Sequence, residues 1–317
     1  MVSYHNLKPT RKGFGEGLQE AGKKQTKLVA LGADITGSVS MNLFAEAYPG
    51  RFFSFGIAEQ NIAGVAAGMA LSGKIPVFST YGVFSAMRDL DQVRISICYN
   101  NVHVIIGGAH AGISVGPDGA THQALEDIAT MRVLPNMTVL SPCDATQTKL
   151  ATLHAVNDIK GPVYIRFGRE AVPDFTLENQ EFVPGKAQVM KEGSDIALFA
   201  TGHMVWEALK AAESLKNDHN ICAAVLNFHT IKPIDVETIE KYARQCGCIL
   251  TAEEHQVMGG LGSAVAEKVV QIFPVPMHIL GVNDCFGESG QPSELMEKYG
   301  LTAKNIIRNA LNLLSHD

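Results

Sequence analysis

Short apolar runs alternate with longer stretches of helical periodicity in the first half of the chain. The predicted strands are residues 27–31, 76–81, 102–106, 138–142 and 162–167. The predicted helices are residues 59–72, 85–99, 122–131 and 145–157. Because these strands are apolar throughout rather than at alternate positions, they are typical of a mostly parallel sheet with helices on both faces.

A polar, proline-bearing stretch over residues 171–185 has no clear periodicity and is typical of a linker. The alternation then resumes, with predicted strands at 195–200, 222–226, 247–251 and 275–280 and predicted helices at 205–215, 235–245, 262–273 and 302–314. The pattern predicts an α/β fold of two three-layer α/β domains. We place them at residues 1–175 and 190–317, with a linker at 176–189.

Composition narrows the class of protein. The length of 317 residues fits two domains, and the 46% hydrophobic content can supply two buried cores. The net charge of −6 argues against non-specific binding to nucleic acid or to anionic membranes. No apolar run is long enough to predict a membrane span, and the start lacks the apolar stretch of a secretory signal. The scattered cysteines predict a cytoplasmic protein with reduced thiols and no metal site of its own.

The first candidate for chemistry is Glu59, which follows an apolar segment and begins a helix rich in alanine and glycine. A carboxylate at a helix start is favoured by the helix dipole, and this structural interpretation is the simpler one. The alternative is a half-buried carboxylate that shares a proton with a ligand.

The second candidate is the glycine-rich loop over residues 107–123, which contains His110, Asp118 and His122. It follows a predicted strand, and open α/β sheets bind their ligands at the carboxyl ends of parallel strands. A lone histidine there is usually structural, but two histidines and an aspartate in one loop favour a site. Proton transfer or hydrogen bonding to a ligand is a better interpretation than metal binding.

Aromatic residues recur every third position at Phe78, Tyr81 and Phe84. Core packing is the default interpretation, and a flat wall for a heteroaromatic ring is the functional one. Arginines form a further group, at Arg11, Arg166 and Arg169. They suit phosphate or carboxylate binding, and surface ion pairs explain them equally well.

Taken in order, these segments resemble the C-terminal half of transketolase over nearly the whole chain. The matching segments are residues 10–12, 32–38, 56–59, 118–123, 251–255, 259–263, 286–290 and 299–302. The resemblance implies an enzyme that uses thiamine diphosphate and Mg²⁺. Such an enzyme transfers a two-carbon ketol unit from a ketose phosphate, of the xylulose 5-phosphate type, to an aldose phosphate, of the ribose 5-phosphate type, through a carbanion on the cofactor.

Full-length transketolases carry a preceding N-terminal domain with a Gly-Asp-Gly…Asn motif that holds diphosphate through Mg²⁺. That motif is absent here, since Pro117-Asp118-Gly119 does not match it. The resemblance therefore implies the C-terminal subunit of a split transketolase, with a pyrimidine-binding domain and a C-terminal domain. A partner subunit would hold the metal and the diphosphate, and we expect an α₂β₂ assembly that is active only with that partner.

The resemblance also implies roles for individual residues. Glu59 matches the glutamate that bonds the aminopyrimidine ring and drives it to the imino tautomer, which removes the thiazolium proton. The other implied cofactor contacts are Asp34, Phe78, Tyr81 and Phe84. His110 and His122 match histidines that bind substrate hydroxyls and move protons. The remaining implied substrate contacts are Asp118 at the donor hydroxyl and Arg11, Ser38 and Arg169 at the phosphate.

Some residues depart from the transketolase pattern. Ala58 and Gln60 flank Glu59 where transketolases have Arg and His, and this flank is closer to 1-deoxyxylulose-5-phosphate synthase. His110 argues against that synthase, which lacks a histidine there. A 2-oxoacid dehydrogenase beta-type subunit is the other alternative, but that family lacks the Asp-Gly-x-Thr-His-Gln segment. A non-catalytic subunit of the same fold is a third hypothesis, disfavoured because the candidate site residues occur together.

Overall fold

The computed structural model of the protein describes residues 3–315. Its strands are β1 (Asn6–Pro9), β2 (Leu28–Gly32), β3 (Phe52–Ser54), β4 (Ile75–Tyr81), β5 (Ile105–Ala109), β6 (Thr138–Leu140), β7 (Val163–Arg166), β8 (Ala171–Asp174), β9 (Gln188–Lys191), β10 (Ile196–Ala200), β11 (Ala223–Asn227), β12 (Thr230–Lys232), β13 (Ile249–Gln256) and β14 (Met277–Val282). Its α-helices are α1 (Thr10–Lys24), α2 (Asn42–Ala47), α3 (Glu59–Leu71), α4 (Leu90–Gln92), α5 (Asp127–Val133), α6 (Ala145–Asn157), α7 (Met204–His219), α8 (Val236–Cys246), α9 (Leu261–Ile272), α10 (Pro292–Lys298) and α11 (Ala303–Leu314).

The first sheet has seven strands in the order β12-β6-β7-β5-β4-β2-β3. Its strands are parallel except for β12, which pairs antiparallel with β6. Successive residues of β4 face opposite cores: Val77 packs with Phe14 of α1, and Phe78 packs with Ile62 of α3. Both faces are therefore covered by helices, which explains why these strands are apolar throughout.

The second sheet has five strands in the order β14-β13-β10-β11-β9, with β9 antiparallel to β11. One face packs against α7 and α11, through residues such as Leu215 and Ile306. The other face packs against α8 and α9 and continues into the core of the first sheet, since Phe199 and Phe78 belong to one apolar cluster. The prediction of two α/β domains with mainly parallel sheets is confirmed.

The two sheets are also joined by chain crossing and by hydrogen bonds. Strand β12 comes from the second half of the sequence but extends the first sheet. Within the first half of the chain, strand β8 pairs antiparallel with β1, although the sequence predicted no regular structure over residues 171–185. The buried side chain of Arg166 donates to the backbone oxygens of Ala124 and Glu254, and so bridges the halves.

Two predicted helices differ from the structure. The helix expected at 85–99 is broken, because Asp89 leaves helical geometry between π-helical turns at Phe84–Arg88 and Val93–Tyr99. The helix expected from residue 122 begins at Asp127, because Gln123 is held in the preceding loop by its bonds to the backbone oxygens of Ile113 and Glu288. Over residues 3–315, no helix combines the length and apolar character needed to cross a bilayer.

Candidate functional site

Most of the candidate residues lie at or beyond the carboxyl ends of five adjacent parallel strands, β7, β5, β4, β2 and β3. Tyr81 is the last residue of β4 and lies opposite Ala109 of β5, so it is beside His110. Glu59 follows β3 and begins α3. Segments that are distant in sequence thus meet at one edge of the sheet, where open α/β sheets bind ligands.

Glu59 is buried, with 2% exposure, at the first turn of α3. The Nη1 atom of Arg88 lies 3.1 Å from each of its carboxylate oxygens. The hydroxyl of Thr80 donates to the same carboxylate at 3.4 Å. The positive end of the α3 dipole also favours a negative charge at this position. Arg88, Thr80 and the helix start therefore all stabilise the Glu59 carboxylate.

An aromatic cluster is linked to this carboxylate through Arg88, whose guanidinium lies over the Phe84 ring. It consists of Tyr81, Phe84, His110 and His122. The Tyr81 ring stacks on His110 with a centroid distance of 4.6 Å, and it meets the edge of His122 at 5.5 Å. Phe84 contacts Tyr81 at 5.9 Å and His122 at 5.6 Å. The cluster supplies flat apolar faces beside two imidazoles, as a site for a heteroaromatic ring requires.

Phe78 does not join this cluster. Its side chain is 1% exposed and packs in the core with Leu31 and Ile106. The alternation along β4 points it beneath α3, whereas Tyr81 reaches the end of the strand. The expected cofactor contact at Phe78 is therefore replaced by core packing, which was the default interpretation of this residue.

His110 is buried with a left-handed backbone, at φ 53°. Its Nε2 donates to the carbonyl oxygen of Ser38 at 3.2 Å, and Arg11 Nη1 donates to that same oxygen at 2.8 Å. Burial, with the nearby charge of Arg11, lowers the pKa of His110 to about 4. The ring is thus neutral near pH 7, and its Nδ1 keeps a lone pair that can accept a hydrogen bond.

This lowered pKa predicts acid sensitivity. The unfolded His110 binds a proton below pH 6.5 and the folded one only below pH 4, so the free energy of unfolding falls as the pH drops between those values. One such group contributes a slope of about 1.4 kcal/mol per pH unit. Buried His229 and His255, whose pKa values burial also lowers to about 4, add to the slope of the wild type. Urea unfolding at pH 7, 6 and 5 should therefore show a slope that is smaller in His110→Gln than in the wild type by about the contribution of one group. Equal slopes would remove the assignment of a neutral buried ring.

Asp118 and Arg169 form an ion pair at the rim of the site, with 3.0 Å between Oδ1 and Nη1. Both side chains are about one-third exposed, at 32% each. Arg169 Nη1 also reaches the backbone oxygen of Val115 at 3.4 Å. The pair joins the loop after β7 to the loop after β5, and its charges are close enough to influence His110.

Two further candidates lie outside these contacts. Asp34 is exposed in the turn after β2, with a left-handed φ of 65°. Arg166, considered above as an anion anchor, is 6% exposed and donates from Nε to Asp127 at 2.9 Å. Its donors are used inside the protein, so Arg166 is a structural residue rather than an anchor.

Sequence reasoning missed Arg88, the main partner of Glu59. Its guanidinium lies over the Phe84 ring, 3.8 Å from the centroid. The only local signal was the spacing of four residues from Phe84, which places side chains on one face of a helix. In the described part of the chain, residues 3–315, no three His, Cys, Asp or Glu side chains are grouped to hold a metal ion.

Family models match both halves of the chain. Residues 8–174 match the model described as transketolase, pyrimidine binding domain. Residues 185–306 match the model described as transketolase, C-terminal domain. The match therefore extends over the aromatic cluster and Glu59 as well as over the second sheet.

Individual relatives are similar over almost their full lengths. The 6-deoxy-6-sulfo-D-fructose transketolase subunit SqwH of Clostridium sp. (strain MSTE9) is 44% identical, over 92% of this chain and 90% of its own. An apulose-4-phosphate transketolase subunit of Phocaeicola vulgatus is 39% identical, over 98% and 99%. A solved structure titled split gene transketolase, inactive beta4 tetramer, is 47% identical with a TM-score of 0.91, over 97% and 98%.

Proposed function

This chain belongs to the transketolase family, and we propose that it is the C-terminal subunit of a split transketolase. Two relatives of matching length are named as subunits, and a similar solved structure is described as a split-gene transketolase. Membership of this family implies dependence on thiamine diphosphate. In the proposal, a partner with a Gly-Asp-Gly motif binds the diphosphate and Mg²⁺ in an α₂β₂ assembly, and the chain divides into domains at residues 176–189.

The observation that carries the proposal is the buried carboxylate of Glu59, which the guanidinium of Arg88 links to the ring of Phe84. A planar nitrogen cation, the guanidinium of Arg88, already combines a stack on Phe84 with hydrogen bonds to Glu59. These residues therefore fit an aminopyrimidine ring, which can also lie over an aromatic ring and form a hydrogen bond with a carboxylate. Bound thiamine diphosphate supplies the electron sink that makes cleavage of the donor's carbon–carbon bond possible. In that site Glu59 would exchange a proton with the ring nitrogen N1′, Tyr81 and Phe84 would position the ring, and Asp34 would lie near the cofactor's cation.

The substrate contacts are proposed on the same geometry. Neutral His110 offers Nδ1 to a sugar hydroxyl, and half-buried His122 exchanges protons with the substrate. Asp118 binds the donor's hydroxyl. Arg169 and Arg11, with Ser38, bind the terminal anion, since guanidinium donors match the geometry of phosphate. The proposed reaction transfers a ketol unit from a ketose phosphate of the xylulose 5-phosphate type to an aldose phosphate of the ribose 5-phosphate type.

A donor panel tests the substrate class. Because relatives are named for a sulfosugar and for apulose 4-phosphate, the panel contains 6-deoxy-6-sulfofructose and apulose 4-phosphate with xylulose 5-phosphate and pyruvate. The complex is expected to consume an anionic ketose with ribose 5-phosphate as acceptor. Consumption of pyruvate without any ketose would instead favour the 1-deoxyxylulose-5-phosphate synthase-like or 2-oxoacid dehydrogenase alternative.

The phosphate anchor has a separate test. Replacing Arg169 by methionine removes charge-assisted hydrogen bonds, which are worth enough to raise the KM of a phosphorylated donor roughly 10- to 100-fold. Hydroxypyruvate has no phosphate and serves as the matched donor, so its KM should stay near the wild-type value. If both donors were affected equally, Arg169 would act on the site as a whole and not on the anion.

A further inference from the structure

Arg88 makes two contacts in the candidate site at once. Its Nη1 lies 3.1 Å from both oxygens of Glu59, and its guanidinium carbon lies 3.8 Å from the centroid of the Phe84 ring. The guanidinium thus lies over the aromatic ring while its Nη1 donates to the carboxylate. This combination unites a charge-assisted hydrogen bond with a cation–π contact.

An aminopyrimidine that stacks on Phe84 and bonds Glu59 needs these same positions. We propose that Arg88 is a competitor of the cofactor: its side chain must turn away from Glu59 and Phe84 before the pyrimidine ring of thiamine diphosphate binds. The inference rests on the proposed function. It assigns to Arg88 control over cofactor affinity and not a step in ketol transfer.

The surroundings explain why such a contact is favourable. Glu59 is 2% exposed, and a buried carboxylate without a counter-charge is costly. The neighbouring Asp89 is fully buried, and burial together with the charge of Glu59 raises its pKa well above the usual range. Arg88 forms an ion pair with the Glu59 carboxylate. A pyrimidine ring that displaces Arg88 would give Glu59 a hydrogen bond in place of that pair.

The side chain of Arg88 can move without the backbone. It is 43% exposed, so water can solvate the released guanidinium. The backbone oxygen of Arg88 accepts a bond from Gln60 Nε2 at 3.0 Å, which ties this turn to α3. Release of the Arg88 guanidinium therefore requires rotation about side-chain bonds alone. Phe84 stays in position to contact the pyrimidine ring.

The test measures cofactor binding instead of turnover. Calorimetric titration of thiamine diphosphate with Mg²⁺ into the complex with the partner subunit is expected to give a Kd about 10-fold lower for Arg88→Met than for the wild type. Arg94→Met changes an exposed arginine of the neighbouring turn, Val93–Tyr99, and is the matched control that should bind as the wild type does. Equal or weaker binding by Arg88→Met would overturn the competition.

A second measurement uses the free chain and 4-amino-2-methylpyrimidine, the ring fragment alone. Arg88→Met should gain more thermal stability from this fragment than the wild type gains, since its ring position is open. An equal gain in both proteins would contradict the inference while leaving the proposed function in place. Failure of the wild-type complex to bind thiamine diphosphate would overturn both.

Discussion

Glu59→Ala should abolish ketol transfer by the complex while leaving the fold intact. Loss of a group that exchanges protons in the transition state costs about 100- to 10,000-fold in rate. Glu59 lies at the start of α3 and reaches the aromatic cluster through Arg88, so Glu59→Ala removes the proton partner and leaves Tyr81 and Phe84 in place. Steady-state kcat with saturating thiamine diphosphate measures the effect.

The controls separate chemistry from stability. Glu59→Gln keeps the shape and some hydrogen bonding, and it should lose kcat with an unchanged circular dichroism spectrum. Glu46→Ala changes an exposed glutamate of α2 and should leave kcat as it is. Retained turnover in Glu59→Ala would remove the cofactor assignment and revive the hypothesis of a non-catalytic subunit.

The second large effect is expected at Arg166, where substitution acts on stability. Arg166 Nε lies 3.2 Å and 2.9 Å from the two oxygens of Asp127, and Tyr164 donates to the same carboxylate at 2.8 Å. Asp127 is fully buried, so Arg166→Met leaves an uncompensated charge in the core. Breaking one partner of such a pair costs about 3–5 kcal/mol of unfolding free energy.

Urea unfolding of the isolated chain measures this loss. Arg244→Met is the matched control, because Arg244 forms an exposed ion pair with Glu240 four residues before it, at 2.9 Å. Such a surface pair contributes about 0.3–0.5 kcal/mol. A loss of unfolding free energy below about 1 kcal/mol in Arg166→Met would mean that the Arg166–Asp127 pair contributes no more than a surface ion pair. That result would contradict the role of Arg166 as a bridge between the halves.

Local signals in the sequence explain much of the fold. The predicted helix at 145–157 matches α6, because Asp144 caps its first turn by accepting from the backbone nitrogen of Gln147 at 2.8 Å. The apolar run at 76–81 matches β4 to within one residue, because a strand that is covered by helices on both faces can have apolar residues at every position. No residue near Asp89 in the sequence indicates the break in the helix that was predicted at 85–99.

The site was only partly predictable, because its contacts are non-local. Glycines and polar residues after strands indicated the loop of His110, and the resemblance indicated Glu59. The pairing of Glu59 with Arg88 joins residues 29 positions apart, and no periodicity reveals it. The burial of Phe78 likewise depends on which face of β4 meets α3.

The most direct test of the central claim is ketol transfer measured with this chain alone, with the candidate partner alone and with the two mixed. The partner used is a chain with the Gly-Asp-Gly…Asn motif. We expect transfer from a ketose phosphate to ribose 5-phosphate in the mixture alone, because the proposed function assigns Glu59 and the diphosphate site to different subunits. Full activity of this chain by itself would contradict the account.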